Sequence, residues 1–445
     1  MAPTTNTARF DIVIVGGGIA GLSAAIALRG PNRRITVLEQ SHLNKEIGAT
    51  ISLQPNASKI VEKQWGLEEA LAKKGSMADK AFRIYDTGGK LHAEIPFHLK
   101  KSYGADRMVY HRVDLHDSLK EAAIQVTQNC CVVVRTGCVV KGCDPDAGNV
   151  TLESGEVVAG DLIIGADGIK SAIRKSVLGK EAPAIPTGLS AYRLIVESSA
   201  LEKDEDFTSV IDPRESYTTM IMGHDRRIIM GPARGGSIYS IVAMVPDDKM
   251  HESAESKSWT TKGDPDKLRE TFEVFPNWAK AVFKNCTEVG LWQLRDLDPL
   301  ETWHRGRTII IGDASHAMLP TQGQGASQSV EDAEALGFIF ADVKQKPTRE
   351  EVTALLKTVF ESRYERTTLI QNYSRQSGKP ATDKFSKKIT MNPAEFMDYN
   401  CTYSGARDWI KRQAKLKESE ALKQTCRDPL PIPTNQMDAV SLGSD

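Results

Sequence analysis

Three apolar runs without polar alternation punctuate the chain, and each ends on a glycine. Ile12-Val13-Ile14-Val15 runs into Gly16-Gly17-Gly18. Leu162-Ile163-Ile164 runs into Gly165-Ala166-Asp167-Gly168, and Thr308-Ile309-Ile310-Ile311 into Gly312-Asp313. Short continuous apolar runs bounded by turn residues read as strands buried on both faces, the pattern of a parallel sheet. An Ala/Leu-rich helical segment follows the first run, and another apolar run then closes on Glu39. Elsewhere the period changes. Ala81 to Leu99 reads as a hairpin turning at Thr87-Gly88-Gly89, residues 113–129 suit a helix, and 131–164 hold short strands. From 186 to 292, strand-like runs (Ala191 to Val196, Ile228 to Met230, Tyr239 to Val245) alternate with turns. No long helical period intervenes there until 266–285. Residues 327–377 and 405–425 read as helices. The expected fold is α/β, with an inserted, mostly antiparallel β-sheet domain and C-terminal helices.

Composition narrows the function classes. At 445 residues the chain exceeds one ordinary core, so two or three lobes are expected. A formal net charge of -1 leaves no basic excess to neutralise a nucleic-acid backbone. The N-terminal MAPTTNTARF has no apolar signal core, no run is long enough to span a membrane, and VSLGSD matches no ER-retention or peroxisomal address. Among seven cysteines, Cys130, Cys131, Cys138 and Cys143 cluster without paired C-x-x-C spacing. Buried thiols in a reduced, cytoplasmic protein are therefore expected in place of a zinc site; a monomer or homodimer is expected.

Gly16, Gly18 and Gly21 form G-x-G-x-x-G between strand and helix. Gly16 permits a tight turn, Gly18 lets the backbone approach a pyrophosphate, and Gly21 lets helix and strand pack closely, with the helix N-terminus facing the phosphates. Glu39 comes 18 residues after Gly21, where a carboxylate accepts hydrogen bonds from a ribose diol. This is a Rossmann-like dinucleotide signature. Two further strand-to-acid turns lie beyond a plain NAD site: Asp167-Gly168 followed by Ser171 and Arg174, and Gly312-Asp313 followed by Pro320, Gly323 and Gly325, with a helix opening at about Ala326.

The trio resembles the group A FAD-dependent monooxygenases, the salicylate hydroxylase-like family, over residues 9–345, in the style of fungal members of secondary metabolism or aromatic degradation. The resemblance implies FAD as cofactor and NAD(P)H as a transient co-substrate. The absence of a second G-x-G-x-x-G fits that transient docking, and NADH and NADPH both stay open. Glu39 takes the adenosine ribose in this reading, Gly18 and the helix start the pyrophosphate, and Asp313 the ribityl chain. Arg112 resembles the family's FAD-contacting arginine, and Glu46 to Ala49 the segment under the isoalloxazine, although position 50 is Thr where many relatives have Gly. Asp167 is linked with ordering the site and with both nucleotides. The turn through Gly323, Gly325 and Ala326 aims backbone N–H groups at the flavin edge. The implied domains are FAD-binding at 1–80, 105–185 and 293–345, substrate-binding sheet at 81–104 and 186–292, helices at 346–425, and a loose tail at 426–445.

The implied reaction is insertion of oxygen from O2 through a C4a-hydroperoxyflavin into an aromatic or phenolic substrate, small or polycyclic. Two alternatives stay open: epoxidation of an indole or alkene in secondary metabolism, and a non-catalytic dinucleotide-fold binding module. A cation beside a phenol favours the phenolate, and Arg193 is the candidate, sharing a strand face with Ala191 and Ile195. In related fungal enzymes an arginine in this setting is substrate-facing and catalytically important. Tyr239 is the second catalytic candidate, with Tyr217 as a further orienting group. His316 reads as a residue that fixes its loop, and His42 as an exposed loop residue.

Overall fold

The apolar runs converge in one sheet. The computed structural model describes residues 9–42, 49–125, 130–252, 260–284, 286–379 and 389–425. Six strands lie in the order His304–Arg305, Thr308–Ile310, Leu162–Gly165, Phe10–Val15, Arg33–Leu38 and Cys130–Arg135. All neighbours are parallel except the first pair. Ile12 stands level with Leu162 on one side and Ile35 on the other. The loops after Val15, Gly165 and Ile310 therefore leave the sheet at its carboxyl end, which is where α/β sheets bind ligands. The helices Ile19–Ala27 and Gly325–Ile339 pack against each other beside it. Gly337 makes that packing possible, because a Cβ there would sit 2.8 Å from the Ala27 carbonyl oxygen.

The second sheet has eight strands in the order Thr260–Gly263, Val289–Asp296, Ile185–Glu197, Ile238–Pro246, Arg227–Ala233, Tyr217–Met222, Ala81–Asp86 and Leu91–Pro96. The hairpin at 81–96 thus joins strands more than a hundred residues away, by parallel pairing of Ala81–Asp86 with Tyr217–Met222. The sheet's two faces differ. Tyr192, Leu194, Ile241, Ala243 and Leu291 pack on one side into a core with Phe207, Phe272 and Phe283. Ala191, Met244 and Leu294 face the other side, with Leu319. Residues to Ala406 form one compact unit; those from Arg407 form a second, whose described part is helical to Thr425.

Several elements depart from expectation. The helix expected at 113–129 spans Arg112–Ile124. The stretch 327–377 is two helices, Gly325–Ile339 and Arg349–Ser377, because Thr348 and Glu351 form a capping box that restarts the second after Pro347. Asn392 and Glu395 cap an additional helix, Pro393–Cys401, that periodicity did not suggest. Cys138, Cys286 and Cys401 are buried, but Cys131 is exposed on the edge strand, against the expectation of buried thiols. The tail from 426 lies outside the described residues. No helix among the described residues is long and apolar enough to cross a membrane.

A buried charge network anchors the helix Gly325–Ile339. Arg363 donates to Asp332 at 2.9 Å and pairs with Glu331. Arg366 grips Glu331 at 2.8 and 2.9 Å and reaches the carbonyls of Tyr399 and Asn400. Asp332 also accepts from the Gly312 N–H at 3.0 Å and bonds His316 at 2.6 Å, so the network reaches the Gly312-Asp313 loop. Burial alone would raise the Asp332 pKa; His316, Arg363 and the Gly312 N–H outweigh it and hold it at about 2.

Two consequences follow for stability. Arg363→Met removes the one guanidinium that Glu331 and Asp332 share and should cost about 3–5 kcal/mol, read as a lower urea midpoint. In the parent protein, the contribution of Asp332 is full above the ordinary carboxylate range and is lost as pH falls from about 4 towards 2. An unchanged midpoint in the variant would contradict this role of the network.

Candidate active site

The first glycine turn is shaped by close backbone approach. Gly16 has φ of 105°, and a Cβ there would lie 2.2 Å from the Ala166 carbonyl oxygen. At Gly21 it would lie 1.9 Å from the Gly16 oxygen. A Cβ on Gly18, by contrast, would meet nothing within 4 Å. Gly18 caps the helix Ile19–Ala27 and faces an open cavity. Glu39 lies under the turn, accepting from the Gly17 N–H at 2.7 Å and the Ser41 N–H at 2.8 Å. His116 holds the other side, with Nε2 2.8 Å from the Gly17 carbonyl, a support that sequence reasoning missed.

That cavity has a volume of about 2020 Å³ and lies between the carboxyl end of the six-stranded sheet and one face of the eight-stranded sheet. Its volume exceeds the roughly 300–1,000 Å³ of ordinary small-molecule pockets. Gly18, Ala49, Arg112, Asp313, Gly323, Gly325 and Ala326 line one side. The Arg112 N–H donates to the Ala49 carbonyl at 2.8 Å, which joins two candidates separated in sequence. Glu46 lies outside the described residues, and His42 is exposed. Asp313 is open to the cavity yet deep within the protein. Desolvation raises its pKa against the opposing charges of His316, Arg112 and Arg174.

Gly312 and Gly323 adopt positive φ, 60° and 61°, so the chain turns sharply before and within the loop that starts the helix Gly325–Ile339. A Cβ at Gly325 would meet nothing within 4 Å, so this second helix N-terminus is also open. His316 is buried away from the cavity and, through Asp332, fixes the loop. Asp167 is turned into its own loop. Its carboxylate accepts from Ser171 Oγ at 2.6 Å and from the N–H groups of Ala172 and Ile173 at 2.7 and 3.1 Å. It therefore organises the start of the helix Ala172–Leu178, while its neighbours Ala166 and Gly168 line the cavity. Burial raises its pKa against those bonds.

On the sheet side, Arg193 lines the cavity. The Ile185–Glu197 strand lies inside the sheet, between Val289–Asp296 and Ile238–Pro246, so Arg193 is not an edge residue. Its Nε has no hydrogen-bond partner, and its guanidinium carbon lies 5.1 Å from the Trp292 ring centroid. Desolvation lowers its pKa, and the nearby charge of Arg112 lowers it further. Tyr239 faces the opposite side of the sheet. Its ring packs edge-on against Phe207 at 5.5 Å and is 1 % exposed, so it does not reach the cavity. Tyr217 does line it, with Arg83 stacked on its ring at 3.7 Å.

A cluster that sequence reasoning missed completes the wall. Arg107 pairs with Asp79 and donates to Thr218 Oγ1 at 2.7 Å and Ser52 Oγ at 3.2 Å. Desolvation lowers the Arg107 pKa to about 10. These four residues come from separate segments, and no local motif joins them. Among the described residues there is no group of His, Cys, Asp and Glu arranged to hold a metal ion.

Comparison with known proteins agrees with this geometry. The FAD binding domain family model matches residues 9–368. The hispidin-3-hydroxylase of Neonothopanus nambi is 28% identical over 341 residues, 74% of this chain and 80% of that protein. The 3-hydroxybenzoate 6-hydroxylase 1 of Aquipseudomonas alcaligenes is 30% identical over 369 residues, 82% of this chain and 88% of that protein. A salicylate hydroxylase substrate complex superposes with a TM-score of 0.73 at 25% identity, covering 89% of this chain and 96% of that one. The chain belongs to the FAD binding domain family and is an FAD-dependent monooxygenase with NAD(P)H as co-substrate. A non-catalytic binding module is set aside by the same matches. The residues present fit the cofactor: two open helix N-termini suit a pyrophosphate and a flavin edge, and Gly18 leaves the room that a Cβ would fill.

The two glycines should separate experimentally. Gly18→Ala leaves the apo-protein's melting temperature unchanged and weakens FAD binding by at least about tenfold, or ~1.4 kcal/mol. Gly21→Ala lowers the melting temperature of the apo-protein itself, because its methyl collides with backbone. Equal effects of the two on folding would contradict the assignment.

Proposed function

We propose that this FAD-dependent monooxygenase hydroxylates a phenolic or other aromatic substrate held against the eight-stranded sheet. Arg193 is the group that makes the substrate electron-rich. The observation that carries this reading is the Arg193 guanidinium itself: desolvated, on a largely apolar wall, and without a carboxylate partner among the described residues. A phenol beside such a charge has its pKa lowered, because the phenolate gains a counter-ion that water no longer screens. The proton leaves to solvent, and Arg193 stays protonated throughout.

The remaining residues bind and orient. Glu39 takes the adenosine ribose, Gly18 and the helix start behind it the pyrophosphate, and Asp313 the ribityl hydroxyls. Arg112 adds positive charge beside the cofactor, and the Gly323–Ala326 turn presents N–H groups to the flavin edge. When bound, FAD would take two electrons from NAD(P)H and activate O2, so that one oxygen atom enters the substrate and the other leaves as water. The six-stranded sheet and its helices form the FAD-binding side, and the eight-stranded sheet the substrate side, closing the reaction off from water. The aromatic substrates in the names of the relatives, hispidin, 3-hydroxybenzoate and salicylate, all fit this electron-rich class. A cytoplasmic setting fits the need for NAD(P)H.

Arg193→Ala should keep its FAD content and lose product formation by about two to four powers of ten, assayed on a panel of phenolic acids with NADH and NADPH. Unchanged turnover would remove Arg193 from the reaction.

A further inference from the structure

We propose that Trp292, seated on Gly290, is the positioning residue for Arg193. It holds the guanidinium at the cavity wall through its π face, so that the arginine is restrained without being neutralised. This rests on the reading of Arg193 given above.

The sheet register builds the arrangement. Arg193 stands opposite Gly290, and Ala191 opposite Trp292, on paired antiparallel strands. The indole leans along its own strand into the space left by Gly290. A Cβ at Gly290 would lie 2.1 Å from Trp292 Cζ3 and 2.3 Å from Cη2. Glycine inside a strand is costly unless something fills its place, and here the filling group is the ring that stacks on Arg193. Other buried arginines are held by oxygen acceptors: Arg107 pairs with Asp79, Arg363 and Arg366 pair with Glu331, and Arg33 and Arg174 donate to backbone carbonyls. A carboxylate would hold Arg193 as well, but it would cancel the charge offered to a ligand. An aromatic face restrains a cation while leaving its hydrogen-bond donors free.

Five variants test this: Trp292→Leu, Trp292→Phe, Gly290→Ala, Trp292→Leu with Gly290→Ala, and Trp292→Leu with Arg193→Ala. FAD content and melting temperature control for folding. Phenylglyoxal modification of Arg193, mapped by peptide mass spectrometry, reads its restraint without any substrate. The pH profile of kcat/KM, with the phenolic acid selected from the panel, reads its effect on the reaction. Trp292→Leu should raise Arg193 reactivity about tenfold, lower kcat/KM by about ten- to a hundredfold, and move its acid limb alkaline by about one pH unit. Trp292→Phe, which keeps a smaller π face, should restore most of both. Gly290→Ala, which keeps the indole but pushes it off the guanidinium, should resemble Trp292→Leu yet add nothing to it.

The double variant with Arg193→Ala should match Arg193→Ala alone. If Trp292→Leu lowers kcat/KM further in that background, Trp292 acts on the substrate itself and the proposal is overturned. Unchanged Arg193 reactivity in both Trp292→Leu and Gly290→Ala also overturns it. Full turnover by Arg193→Ala would instead defeat the proposed function, and the phenylglyoxal comparison would still decide whether Trp292 restrains the arginine.

Discussion

The floor of the cavity depends on charges that never see water. Glu331 and Asp332, successive residues on one buried helix, are held by Arg363 and Arg366 from the long helix beside it. The same carboxylates reach Asn56 at 2.5 Å, the Gly312 N–H and His316. Desolvating four charges is expensive, and the arrangement stands only because the ion pairs are multiple and reinforced by hydrogen bonds. Such a network has little room to slide. It sets the start of the helix Gly325–Ile339 and the Gly312-Asp313 loop in one frame, and the open helix N-terminus at Gly325 inherits that rigidity.

Three of the chain's arginines differ in what becomes of their charge. Arg363 is fully buried and fully paired, and acts as structure. Arg107 reaches the cavity but surrenders its charge to Asp79. Arg193 reaches the cavity and keeps its charge, with only an indole for company. Burying a cation without a counter-ion is unfavourable in the empty site and becomes favourable when an anionic ligand arrives. That difference in free energy is available for selecting a phenolate over neutral aromatics, which is the discrimination an electrophilic oxygen transfer needs.

Much of the nucleotide side was legible in the sequence because its constraints are local. Gly21 meets the Gly16 carbonyl, five positions earlier within the same motif, whereas the group that Gly16 meets, the Ala166 carbonyl, comes from the end of the neighbouring strand of the sheet. The Arg193 face was also legible, since alternation along one strand places it with Ala191. The direction of Tyr239 was not. Its strand pairs with the first so that Tyr239 stands opposite Val196, three residues from Arg193 and hence on the other face. That phase depends on register between strands, which no single segment encodes. The loop-ordering bonds of Asp167 have a local signature. An acid just before Gly168, with Ser171 beyond it, is also a helix-start pattern, and the carboxylate is consumed there. The Asp79–Arg107–Thr218 cluster is assembled by tertiary contact alone. The break near 347 did leave a trace in Pro347, Thr348 and Glu351, which the apolar periodicity on either side concealed.

The central claim is that a desolvated, unneutralised arginine faces the substrate beside the flavin. It is tested most directly with a chromophoric phenol, such as a nitrophenol, titrated into the FAD-loaded protein without NAD(P)H across a range of pH. The account predicts that the bound ligand shows its phenolate absorbance well below its pKa in free solution, and that Arg193→Ala abolishes the shift. A ligand that binds with its solution pKa, or keeps the lowered pKa in the variant, would contradict it.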